Sequence, residues 1–154
     1  MLIHFVCSGN TNRSRMAEAY LNSKQIPGIE VSSSGIYASH NLNGALSEYA
    51  RFVLAEAGIL SFTSEQWQET TRELLEGVDV VVFMDQKHYD FCVNELNYVP
   101  KKYYIWNILD VEYNPAGDNR EQMNEKIIED EEIYTSITKK VDELIKEVDP
   151  NEEA

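Results

Sequence analysis

Apolar and polar positions divide this chain into short runs of two different periods. Residues 2–7, Leu-Ile-His-Phe-Val-Cys, form an apolar run of strand type, and the polar stretch 8–12 that follows predicts a loop. From Arg13 the pattern reads as a helix that carries Met16, Ala19 and Tyr20 inward until Pro27-Gly28 forces a turn. Ile29-Glu30-Val31 alternates as a second short strand running into Ser32-Ser33-Ser34-Gly35. Leu42, Leu46, Tyr49, Val53 and Ala57 recur at helical spacing over 42–57, with Asn41 as N-cap and Gly58 as the stop, and are expected in the core. A polar stretch around Trp67 predicts a short helix over 69–76. The run 78–84, Val-Asp-Val-Val-Val-Phe-Met, is of the kind a parallel sheet buries on both faces, and 103–106 predicts a fourth strand. Met123, Ile127, Ile133, Ile137, Val141, Leu144 and Val148 trace one or two C-terminal helices. Strands alternating with helices make an α/β fold, and right-handed crossovers bring the strand ends to one edge. With no internal repeat in view, a single domain is expected over 1–149, followed by a short acidic tail over 150–154.

Composition narrows the function classes. A chain of 154 residues, 43% of them hydrophobic, can bury one core. No stretch approaches the roughly 20 apolar residues of a membrane span, and no basic segment followed by an apolar run opens the chain. A cytoplasmic protein with no membrane partner is therefore expected. Cys7 and Cys92 make no disulfide framework. A net charge of −14 argues against nucleic acid and repels acidic substrates at long range, so a phosphate site here must work by local dipoles and Arg13. Much of that charge lies between Glu112 and Glu153, as expected for a solvated helix face and a frayed tail. No His, Cys and carboxylate cluster at ligand spacing suggests a metal, and no cofactor is expected. His4 falls inside the first strand, while His40 and His88 are expected on the surface.

The chemistry concentrates in Cys7-Ser8-Gly9-Asn10-Thr11-Asn12-Arg13-Ser14. A tight loop feeding a helix N-terminus converges backbone N–H groups on an anion, and the helix dipole favours negative charge there. Gly9 permits close backbone approach, and Asn10 can take a left-handed conformation. The same field favours a thiolate at Cys7. A thiolate held against a bound tetrahedral oxyanion points to attack of sulfur on phosphorus. The bland alternative is a core cysteine at a strand end with a solvated arginine six residues later.

These residues resemble the low-molecular-weight protein tyrosine phosphatases, whose loop reads Val-Cys-x-Gly-Asn-x-x-Arg-Ser and continues into Met-Ala-Glu-Ala; here they are Val6 to Ser14 and Met16-Ala17-Glu18-Ala19. Arg15 stands where the family often has proline, and is expected to add positive charge at the mouth. The resemblance implies a three-layer, four-stranded parallel sheet flanked by helices on both faces. It implies Cys7 as nucleophile, Arg13 as phosphate ligand, and Ser14 as donor to the sulfur. Ser8, Gly9, Asn10, Thr11 and Asn12 would complete the phosphate cradle, with Ser32 to Ser34 beside it. The family's general acid is an aspartate in an Asp-Pro pair after the fourth strand; in register here is Asp110, followed by Val111, with Asp118 and Glu112 as fallbacks. Glu65 and Gln68 stand where the family usually has a histidine and an arginine. Tyr113, and with it Tyr37, would wall the substrate ring.

The implied substrate is a phosphorylated protein or peptide, and the implied state a monomer or weak dimer. Phosphotyrosine is the first reading. Thr11 makes phosphoarginine the second, because a branch acting on protein arginine carries threonine there. Arsenate reductases share the loop but relay through two further cysteines near the third strand, where this chain has Met84 and then only Cys92. With Asn12 replacing the second loop cysteine, no disulfide can form within the loop. A phosphate-binding module without turnover is the non-enzymatic alternative.

Overall fold

Alternate residues of the first strand enter two different cores. In the computed structural model, which describes residues 1–149 and Asn151, β1 (Leu2–Cys7) sends Ile3, Phe5 and Cys7 into one apolar cluster and Val6 into another. The third strand, β3 (Val80–Phe83), divides likewise: Val80 and Val82 face the first cluster, Val81 and Phe83 the second. Period-two alternation with both faces apolar requires helices on both sides. The first cluster is closed by α1 (Arg13–Ser23), α2 (Glu48–Glu56) and α5 (Arg120–Val148), and the second by α3 (Arg72–Glu76) and α4 (Gln86–Asn94). With β2 (Glu30–Gly35) and β4 (Tyr103–Ile105) the sheet is four-stranded, parallel throughout, in the order β2-β1-β3-β4. The expected three-layer α/β architecture is what forms. β1 lies centrally, so the loop leaving Cys7 emerges between the ends of β2 and β3, at the carboxyl edge where α/β sheets bind ligands.

Several local expectations change. The helix expected over 42–57 is α2, nine residues long and beginning after Ser47. Asn41 has φ 50° and ends a short 3-10 turn, and Gly44 has φ 71°, so the backbone is left-handed where the helix was to start. Leu46 and Val53 are buried, but Leu42 is 61% exposed and Ala57 is on the surface. α4 was not marked by any apolar period; a reciprocal capping box between Asp85 and His88 starts it. The C-terminal apolar stripe belongs to one continuous 29-residue helix, capped by Asn119 and Gln122. The tail expected over 150–154 lies outside the described residues apart from Asn151. Among the described residues no helix is long and apolar enough to cross a membrane, and no cluster of three metal-ligating side chains occurs.

Candidate active site

The loop between β1 and α1 folds back over the sulfur that precedes it. Asn10, at φ 56°, turns its N–H onto Cys7 Sγ at 3.2 Å, and Ser14 Oγ lies 2.9 Å from the same sulfur. The direction of that second bond follows from its neighbours. Asn10 Nδ2 donates to Ser14 Oγ at 2.8 Å, which leaves the serine hydrogen for the sulfur. Two donors thus converge on Sγ, an arrangement suited to a thiolate.

Asn10 is the hub of the loop. Its Nδ2 also donates to Ser33 Oγ at 2.9 Å, and its Oδ1 accepts the Gln68 N–H at 2.8 Å, so β2 and the segment before α3 both grip it. Gln68 Nε2 in turn donates to Ser33 O, so a glutamine here serves the loop directly, while Glu65 stays exposed. Gly35 lies against the loop's other side. A Cβ there would meet Asn10 N and Ser8 O, each at 2.6 Å, so only glycine lets β2 approach this closely.

Arg13 is 1% exposed. Its Nη1 donates to Ile108 O at 2.8 Å and its Nη2 lies 3.5 Å from Asp110 Oδ2, while buried Nε has no partner. An orphaned buried donor is costly unless a ligand satisfies it; a bound oxyanion would. No side chain caps α1, because that of its N-cap residue, Asn12, is turned to Asp130, and this leaves the Arg13 and Ser14 N–H groups for an anion.

Above the loop is a cleft of about 200 Å³ lined by Cys7, Ser8, Gly9, Thr11, Asn12 and Arg13. Tyr37, His40, Leu42, Asp110, Val111 and Tyr113 form its walls. Tyr37 stacks on His40 at 5.3 Å between ring centroids, so both candidate tyrosines stand at the cleft with a histidine beside one of them. Asp110 therefore joins Cys7 and Arg13 at one site. Asp118 does not: Lys126 Nζ holds it at 2.8 Å and the Tyr49 hydroxyl bonds its other oxygen, and these partners lower its carboxyl below the ordinary value. Glu112 is exposed and does not line the cleft.

Arg15 is not at the mouth. It is fully buried behind the loop, donating to Asn10 O at 3.0 Å, Ala45 O at 2.9 Å, Thr63 Oγ1 at 2.8 Å and Ser64 O, with Glu18 at 3.7 Å. The helix turns this position inward, toward buried carbonyls of Asn10, Ala45 and Ser64 that the guanidinium satisfies.

His88 is likewise buried, not exposed, with its Nε2 3.0 Å from Ser8 Oγ. Burial, reinforced by the charges of Arg13 and Lys87, pushes its pKa down to about 3. Asp130, also overlooked, accepts from Asn12 Nδ2 at 3.0 and 3.3 Å; burial pushes its carboxyl up to about 6, against the Asn12 bonds. Signals for both existed: His88 stands three residues after an N-cap aspartate, and Asp130 interrupts the apolar stripe that continues through Ile133 and Ile137.

Known proteins resemble this chain over most of its length. A protein-arginine-phosphatase of Geobacillus stearothermophilus is 37% identical over 91 residues, 59% of each chain, so this chain spans less than two thirds of that relative. A protein-arginine-phosphatase of Bacillus subtilis (strain 168) is 29% identical over 152 residues, 96% of this chain and 94% of that one. The structure of a low molecular weight protein tyrosine phosphatase from T. tengcongensis superposes with a TM-score of 0.73 at 26% identity, covering 96% of this chain and 99% of the other. A family model described as low molecular weight phosphotyrosine protein phosphatase matches residues 2–154. With a match of that extent, the chain belongs to the low molecular weight phosphotyrosine protein phosphatase family.

Proposed function

We propose that this protein is a cysteine-dependent phosphatase of phosphorylated proteins or peptides, a single cytoplasmic domain over 1–149, monomeric or weakly dimeric. The observation that carries it is the pair of donors on Cys7 Sγ, from Asn10 N and Ser14 Oγ, beside an Arg13 whose Nε has no partner. In the first step the Cys7 thiolate attacks phosphorus, the sulfur–phosphorus bond forms, and the bond to the leaving oxygen breaks. Arg13 and the loop amides hold the equatorial oxygens while charge redistributes. Asp110 gives its proton to the departing oxygen. In the second step Asp110 takes a proton from water, the water oxygen attacks phosphorus, and Cys7 leaves as the thiolate that Ser14 stabilises. Ser8, Gly9, Thr11 and Asn12 frame the bound group, and Tyr113 flanks the leaving group.

Phosphotyrosine is the substrate that the cleft's aromatic walls, Tyr37 and Tyr113, favour. A second reading, phosphoarginine, is supported by Thr11 in the loop and by the activity that the names of both sequence relatives carry. The reductase reading has little support: Cys92 is sealed from solvent and burial pushes its thiol up to about 12, the opposite of a relay nucleophile.

Hydrolysis of p-nitrophenyl phosphate by the wild type and not by Cys7→Ser is the expected result. Phosphate binding without turnover would reduce the protein to a binding module, and arsenate consumption with a thiol donor would make it a reductase. Phosphotyrosine and phosphoarginine peptides then separate the two substrates. Loss of the alkaline limb of the pH–rate profile in Asp110→Asn, and its retention in Asp118→Asn, would identify the acid.

A further inference from the structure

We propose that His88 is a positioning residue for this reaction: it fixes the Ser8 hydroxyl so that the hydroxyl hydrogen is donated into the cleft, to the substrate's phosphoryl group. The inference rests on the phosphatase reading, but its decisive measurements do not need turnover.

The ring's hydrogen-bond partners fix its tautomer. His88 is fully buried at the third position of α4, and its Nδ1 accepts the Asp85 N–H at 3.0 Å, half of the capping box that starts the helix. A ring nitrogen that accepts carries no proton. A neutral imidazole has one ring proton, which is therefore on Nε2. Burial and the nearby charges of Arg13 and Lys87 keep the ring neutral, in agreement with that assignment.

Nε2 lies 3.0 Å from Ser8 Oγ, so the ring donates and the hydroxyl oxygen accepts. Had the proton been on Nδ1, Ser8 would have spent its own hydrogen on the ring. The capping box forbids that arrangement. Ser8 Oγ keeps its hydrogen, and among the described residues no acceptor takes it. Ser8 is half-buried and lines the cleft beside Cys7, Gly9 and Arg13. A serine whose oxygen is occupied from behind by N–H presents its hydrogen forward, toward the negative group that the cradle collects. One helix cap thereby sets the hydrogen-bonding sense of a side chain eighty residues earlier in the chain.

The ring can be read directly. Nitrogen-15 NMR of the wild type at neutral pH should show a neutral His88 with its proton on Nε2, and a proton on Nδ1 would overturn the proposal. Affinity for inorganic phosphate, measured by calorimetry, should fall about tenfold in Ser8→Ala, the effect of losing one charge-assisted hydrogen bond, and recover in Ser8→Thr. His88→Gln should show the same loss, because glutamine can keep the cap, as Gln122 does on α5, without reaching Ser8. The double variant His88→Gln with Ser8→Ala should lose no more than either single variant. Unchanged phosphate affinity in Ser8→Ala, or losses that multiply in the double variant, would overturn the proposal. Phosphate binding that behaves as expected in a protein without hydrolysis would reject the phosphatase reading and leave the Ser8–His88 arrangement supported.

Discussion

Asp130, in the middle of α5, accepts two hydrogen bonds from the amide of Asn12, the N-cap residue of α1, at 3.0 and 3.3 Å. The other end of that amide, Asn12 Oδ1, is buried with no donor. One carboxylate, taken out of water, thus pulls the amide toward itself and leaves an acceptor unpaired beside the phosphate loop.

Replacing Asp130 by asparagine should therefore stabilise the protein at pH 8. The new side chain can accept from Asn12 Nδ2 and donate to Asn12 Oδ1, and the ionised buried group is gone. Because the Asp130 carboxyl is raised to about 6, its proton-linked stabilisation is complete below the ordinary carboxylate value and is lost as pH rises through 6. Asp130→Asn should gain about 1–3 kcal/mol at pH 8, and the gain should shrink toward zero near pH 4. Urea unfolding at the two pH values measures it; equal gains at both would show that ionisation is not the cause.

The buried histidines give the opposite dependence. His4, bonded to Ser32 and Ser34 at 2.6 Å each, and His88 are both lowered to about 3 by burial. Their contribution is present above the ordinary histidine value and is lost as pH falls through that value toward 3, because the unfolded chain takes up protons that the folded one refuses. Stability should fall by up to about 1.4 kcal/mol per histidine per pH unit in that window. In His4→Gln, urea midpoints followed from pH 7 to pH 5 should fall less steeply than in the wild type.

Arg15 and Glu18 form a buried pair that braces the loop from behind. Glu18 accepts from Ser33 Oγ at 3.1 Å and Ser64 N at 2.8 Å, and Arg15 satisfies the carbonyls of Asn10 and Ala45. Truncating the arginine leaves an acid buried without its counter-charge. Arg15→Leu should cost about 3–5 kcal/mol in chemical unfolding. A loss below 1 kcal/mol would mean that water replaces the guanidinium.

Gly35→Ala tests the packing of β2 against the loop. Its Cβ would lie 2.6 Å from two backbone atoms that cannot rotate away, so the loop must shift. Hydrolysis should drop by at least about a hundredfold, as expected when reacting groups are misplaced by about an ångström. Folding followed by circular dichroism should be retained, because the strain falls on the end of an edge strand and on one loop, not on the central strands or the helices packed against them. Wild-type activity in this variant would contradict the geometry of the cradle.

Much of the molecule can be read from consecutive residues. The strand, the loop and Asn10 in its left-handed turn follow from local backbone preference, while Ser14 on the sulfur was legible through the resemblance. The runs 78–84 and 103–106 contain strands that form over the shorter spans Val80–Phe83 and Tyr103–Ile105, legible because a doubly buried strand is continuously apolar, and the long C-terminal helix is written in its apolar period. Asp110 was legible only through the resemblance, since a loop carboxylate carries no period. Tertiary structure alone decided that Arg15 turns inward, that His88 reaches Ser8, that Asp130 holds Asn12, and that Lys126 and Tyr49 occupy Asp118. Each of these joins side chains on different elements, or turns one toward carbonyls supplied by distant segments. A sequence states which groups need partners; which partner each one meets depends on how helices and strands dock.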